Sequence, residues 1–123
     1  MYQFAGRTRL LAEELTGITE ACEAFVVSID EGRYYDAHED LEVIWHPKRF
    51  EDNDEMRVWK GFINAAVSFE LIARGRPNPS NVAWQTYRKY SVLIETLVTP
   101  HKELYVKIAQ FIERKHAEVR KGE

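Results

Sequence analysis

The chain reads as an all-α protein, a single compact bundle of about five helices joined as antiparallel hairpins. Three observations predict this class. Apolar residues recur in alternating steps of three and four along most of the length. No segment shows the two-residue alternation of a strand. Glycine or proline interrupts the pattern wherever a helix has run its course. With 123 residues, 45% hydrophobic and 12% aromatic, the chain suits one globular domain over residues 1–123. A chain of this length buries roughly two thirds of its unfolded surface, so disulfides or metals are not needed for stability.

The first helix is expected from Thr8 to Glu31, on a stripe of Leu11, Leu15, Ile18, Cys22, Phe25 and Ile29. Gly32 supplies the left-handed residue that closes it, and a second helix from Tyr34 to His46 follows at once, so the two form a tight hairpin. Pro47 stops the second helix, because it removes a donor and disfavours helical geometry in the residue before it. After the polar loop KRFEDND, Asp54 is the expected N-cap of a third helix that reaches Arg74 and is closed by Gly75. Met56, Val58, Trp59, Phe62, Ile63, Val67, Phe69 and Ile72 make that helix apolar nearly all round, which predicts a central position. Pro77 and Pro79 predict an extended connection, with Ser80 capping a fourth helix on the stripe Ala83, Tyr87, Tyr90, Ile94 and Leu97. Thr99 and Pro100 then read as cap and first-turn proline of a fifth helix. That helix carries Leu104, Ile108, Phe111 or Ile112, and Val119, and frays from Arg120.

Composition excludes several partners. A formal charge of −3 with both signs interspersed gives no broad attraction to nucleic acid or to an anionic membrane surface. No run of about 18 apolar residues and no charged-then-apolar leader occurs. Cys22 is the sole cysteine, so no internal bridge forms; it reads as a small core residue in a reducing compartment, and the expected location is cytoplasmic.

The segment GRYYDAHEDLEVIW, Gly32 to Trp45, sets a histidine and a glutamate one turn apart on an otherwise apolar face. At about 100° per residue, Trp45, Tyr34 and Leu41 flank His38 on one side, with Tyr35 and Glu42 on the other. His38 is therefore expected to face the core with Glu42 beside it, Glu39 at the edge of the face and Asp40 toward solvent. A buried imidazole and carboxylate need partners, and these two can satisfy each other as a structural pair. The functional reading is a metal or ligand site, since residues four apart present two ligands to one ion, and His46 extends the row. One helix does not complete a tetrahedral set, and a second His/Glu helix of the di-iron type is missing.

Glu70 is a second polar residue on an apolar surface. Simple antiparallel register across the 47–54 loop puts His38 level with Ile63 and Glu70 about 10 Å further along. Asn64 is then the nearer polar side chain, and Glu70 pairs with Arg74. In ARGRPNPSN, Arg74, Arg76 and the expected helix start at Ser80 combine positive charge with exposed N–H groups, an arrangement that suits a phosphate or carboxylate. Trp84, Tyr87 and Tyr90 exceed what one stripe uses, which points part of the fourth helix toward a second copy of the chain, with core packing the default for Tyr87 and Tyr90. There is no strained nucleophile turn, no activated cysteine and no glycine-rich phosphate loop.

GRYYDAHEDLEVIW, followed after a short gap by WKGFINAAVSFELIARGRP, resembles the domain-of-unknown-function 309 family of small bacterial and archaeal proteins over Phe25 to Pro79. The resemblance implies an all-helical fold and no assigned activity. Its marked residues fall here on Gly32, Tyr35, His38, Glu39, Glu42, Trp45, Gly61, Arg74 and Gly75. Asn64 stands where the family commonly has glutamine, and Glu70 where some relatives have histidine.

The leading expectation is a helical bundle in which Tyr35, His38, Glu39, Glu42, Trp45 and Asn64 line a buried polar pocket that is structural or holds a small ligand. The first alternative is a hydrolase-like enzyme with a divalent metal held by His38, Glu42 and Glu70, water completing the shell. The second is a homo-oligomeric interaction module presenting the fourth helix.

Overall fold

In a computed structural model, which describes residues 14–121, five α-helices follow one another: α1 (Glu14–Asp30), α2 (Tyr34–Trp45), α3 (Asp54–Ala73), α4 (Pro77–Ser91) and α5 (Lys102–Lys121). Short 3₁₀ turns at His46–Lys48 and Val92–Thr96 extend α2 and α4, and no strand occurs among the described residues. The first turns expected at 8–13, with Leu11, lie outside the described residues. Helix α1 packs on α2, α2 on α3 and α3 on α4, while α5 crosses α1 and α3. The all-helical bundle and the central place of α3 follow the apolar pattern of the sequence.

Both predicted glycine caps form. Gly32 and Gly75 have φ of 79° and 74°. At each, the glycine N–H and the next N–H bond back to the carbonyls of Ile29 and Ser28, and of Ile72 and Leu71. This double bond pattern satisfies the last carbonyls of the helix and turns the chain sharply.

Two cap assignments change. Asn53, in extended geometry, accepts the Met56 N–H at 2.9 Å and caps α3. Asp54 instead starts the first turn, where its charge complements the helix dipole. The connection at Pro77 and Pro79 is not extended: both prolines lie inside the first turn of α4, where an N–H would have no intrahelical acceptor. Ser80 is consequently no cap. Its buried hydroxyl lies 2.9 Å from Ser68 Oγ and donates to the Ser68 carbonyl at 2.8 Å, tying α4 to α3. Thr99 does act at the start of α5, its Oγ1 accepting the His101 N–H at 3.3 Å.

Helices α3 and α4 approach closely because Gly61, Ala65, Ser68, Ser80 and Ala83 are small and buried along their seam. Aromatic rings fill the remaining core. Phe62 packs against Phe25, Tyr87 and Tyr105, and Trp84 lies flat on His116 with centroids 3.6 Å apart and on Tyr87 at 4.7 Å. Trp84 and Tyr87 are thus buried within this chain. Tyr90, the third aromatic residue of the fourth helix, is half-buried beside Lys60 and Lys89.

Asp40 does not point to solvent. It is 5% exposed and accepts the Ser28 hydroxyl at 2.8 Å. Helix α2 is covered on two sides, by α3 and by α1, and the tight hairpin at Gly32 sets Asp40 opposite Ser28.

Cys22 is 1% exposed, and burial, with the Glu23 charge a smaller cause, pushes its thiol pKa up to about 12. Below the ordinary value of 9.0 both folded and unfolded chains hold the proton, and the contribution to stability is complete. Above it the unfolded chain ionises first, so stability falls as the pH rises from about 9 toward 12. Urea unfolding at pH 8 and pH 10 is expected to differ by about 1 kcal/mol more in the native chain than in Cys22→Ala.

Candidate functional site

The hairpin at Gly32 and the Asn53 cap together fix how α2 lies on α3. Between them, with the turn after α3, is a groove of about 240 Å³. Tyr34, Ala66, Val67 and Leu71 form its apolar floor, while Tyr35, His38, Glu70, Arg74 and Arg76 stand around it.

His38 and Glu70 therefore border one groove, although simple register separates them. Pro47 does not end the helical path but enters a 3₁₀ turn at its start, so α2 is effectively longer than its α-helical span. His38 lines the same groove as Ala66, Val67 and Glu70, and Ile63 is not part of that lining.

His38 is half-buried, not buried, with its side chain 26% exposed. Its Nε2 lies 3.4 Å from Glu42 Oε2, longer than a well-formed N–H···O bond, and the Glu42 side chain is 39% exposed. The predicted pair is present, but at the rim of the bundle, where such pairs contribute little to stability. The Tyr35 ring is 5.9 Å from the imidazole. Glu39, one turn after Tyr35, holds the phenol pKa above its ordinary value, first by its charge and then by a hydrogen bond.

The other expected site residues lie elsewhere. Asn64 donates to the Lys60 carbonyl at 2.9 Å and does not line the groove. Trp45 borders a different depression, with Met56, Arg57 and Tyr90. Their angular positions were compatible with His38, but Trp45 lies almost two turns along the axis from it and Asn64 falls outside the shifted register. Glu70 Oε2 is held by Arg74 Nε at 2.5 Å. Among the described residues no three His, Cys, Asp or Glu side chains converge to hold a metal ion, so His38, Glu42 and Glu70 do not form the expected ligand set.

Sequence reasoning missed the groove floor, because Ala66, Val67 and Leu71 look like ordinary core positions. It also missed a buried polar chain on the other side of α3. Trp59 Nε1 donates to Tyr105 Oη at 2.8 Å, Tyr105 donates to Glu55 Oε2 at 2.6 Å, and Thr99 donates to the same oxygen at 3.2 Å. Burial, then the hydrogen bond to Glu55, drives the Tyr105 pKa far above its ordinary value, so the phenol remains a donor. The chain binds the start of α3 to the start of α5 and reaches no part of the groove.

Fold and site together define an all-α bundle with one small amphipathic groove on the α2–α3 face. Residues 22–81 match the model of the family described as Domain of unknown function (DUF309). This segment is similar to that family, and the match takes in every residue that lines the groove. No curated protein and no solved structure matches the chain. Among the described residues, no helix is long and apolar enough to cross a membrane.

Proposed function

We propose that the protein binds a small molecule in the groove between α2 and α3, and that Tyr35, His38 and Arg74 are among its polar contacts. One observation carries this reading. Tyr35, His38 and Arg74, three of the residues on which the family resemblance rests, border a single concavity although they come from two successive helices, up to 39 residues apart in sequence. An apolar floor with a few convergent polar groups is the usual build of a ligand site. The volume, below the about 300–1,000 Å³ of drug-sized sites, suits a compact ligand. Glu42 orients the imidazole from outside and leaves its face toward the groove. A lone, deeply buried thiol supports a reducing, cytoplasmic setting for this activity.

The test is to fill the groove. Val67 lines the floor and is half-buried, so Val67→Trp occupies the concavity from a position that already tolerates partial exposure. Saturation-transfer NMR with a fragment library is expected to find binders of the native chain whose signal disappears in Val67→Trp and weakens in His38→Ala. His38→Ala is expected to lose less than about 1 kcal/mol of stability, in keeping with an exposed pair. Binders unaffected by both substitutions would refute the assignment.

A further inference from the structure

Resting on the ligand-site reading of the α2–α3 groove, we infer that its occupant is a small organic anion, a carboxylate or phosphate monoester on a compact apolar body, whose charged head is held by Arg76 and Arg74. The floor of Tyr34, Ala66, Val67 and Leu71 offers no charge and no strong hydrogen-bonding group apart from the Tyr34 hydroxyl, so it receives the apolar part. The charge lies at the end of the groove formed by the turn after α3. There two guanidiniums face one carboxylate. Glu70 engages Arg74 through Nε alone, and Arg76 makes no side-chain hydrogen bond or ion pair among the described residues. Glu42 is paired with His38 outside the lining, and its charge, with those of Glu39 and Asp36, bears on the Tyr35 phenol across the groove from the arginines.

The turn also fixes the two arginines. Gly75, at φ 74°, lets the Arg76 N–H reach back 2.8 Å to the Leu71 carbonyl. Arg74 and Arg76 are thereby set on either side of one rigid residue, both bordering the groove. A planar guanidinium presents paired donors matched to carboxylate or phosphate oxygens. The start of α4 offers little anchorage, because Pro77 and Pro79 carry no N–H and the Ser80 N–H is already bonded to the Arg76 carbonyl at 3.2 Å. Charge selection therefore resides in the arginine side chains.

Three probes of one shape separate the possibilities: benzoate, phenyl phosphate and the neutral benzyl alcohol, titrated into the full-length chain at low salt with resonances of the backbone amides as readout. Both acids, or one of them, are expected to move the amides of Leu71 to Arg76 and to bind about fivefold or more tighter than the alcohol. The ratio of the two acid affinities then names the head group. Arg76→Gln is expected to remove most of that advantage while leaving the affinity for benzyl alcohol unchanged. Glu70→Gln, which releases Arg74, is expected to tighten the acids, and added salt to weaken them. Benzyl alcohol binding in the groove as well as the acids do, or acid affinity indifferent to Arg76→Gln, would overturn the inference while sparing the site. If none of the three probes moves a groove resonance, the site reading fails with it.

Discussion

Gly61→Val is expected to lower the unfolding free energy by about 3 kcal/mol, roughly 10 °C in melting temperature for a chain of this size. A β-carbon placed on Gly61 lies 3.1 Å from Tyr90 Cβ, 3.6 Å from the Tyr87 carbonyl oxygen and 3.8 Å from Tyr87 Cα. All three neighbours are fixed to the α4 main chain, since a Cβ moves only with its own backbone. Gly61→Ala is expected to cost far less than Gly61→Val, since a displacement of α4 by a few tenths of an ångström relieves its single tight contact and the gain of about 1 kcal/mol in helix propensity offsets part of that cost. The γ-methyls of valine meet the α4 backbone itself and force the helices apart. Urea unfolding of the two variants side by side checks this; equal stability of Val and Ala would mean that the seam of small residues does not set the α3–α4 spacing.

Tyr105→Phe is expected to cost about 2 kcal/mol although it removes a single oxygen. That oxygen accepts from Trp59 and donates to Glu55, so its loss leaves a buried indole N–H without an acceptor and a carboxylate with only Thr99. The ring itself, fully buried against Trp59 and Phe62, is preserved by phenylalanine. Thr99→Val, which removes the longer 3.2 Å bond at the edge of the chain, is expected to cost less than half as much. Thermal unfolding of both variants provides the comparison, and a Tyr105→Phe protein as stable as the parent would show that water replaces the lost partner.

What was legible in the sequence is what local chemistry decides. Gly32 and Gly75 announced helix ends because the left-handed conformation is costly for other residues, and the apolar circumference of α3 announced its central place. The spacing of His38 and Glu42 placed them side by side. What escaped depended on how helices are offset from one another. Asp40 was assigned to solvent on the premise that α2 buries one face, whereas the hairpin register pairs it with Ser28 of α1. Simple antiparallel register across the 47–54 loop favours Asn64 over Glu70 as the neighbour of His38, whereas the groove brings His38 and Glu70 into one lining and leaves Asn64 out. Pro77 and Pro79 read as extended linker although first-turn prolines are well suited to a helix start. In each case the residue type was informative and the tertiary frame changed its meaning. The Glu55–Tyr105 chain joins residues 50 apart in sequence, and no local pattern marks it.

The central claim is that the α2–α3 face, and no other concavity, receives the ligand. Its most direct measurement is the map of backbone amide shifts produced by saturating benzoate. The larger depression between the Val92–Thr96 turn and α5, about 660 Å³ and bordered by Val92, Val106 and Ala109, serves as the internal control. Shifts concentrated at Tyr35, His38, Val67, Leu71 and Arg76 are the predicted result; shifts concentrated at Val92, Val106 and Ala109, with the α2–α3 amides unmoved, would contradict it.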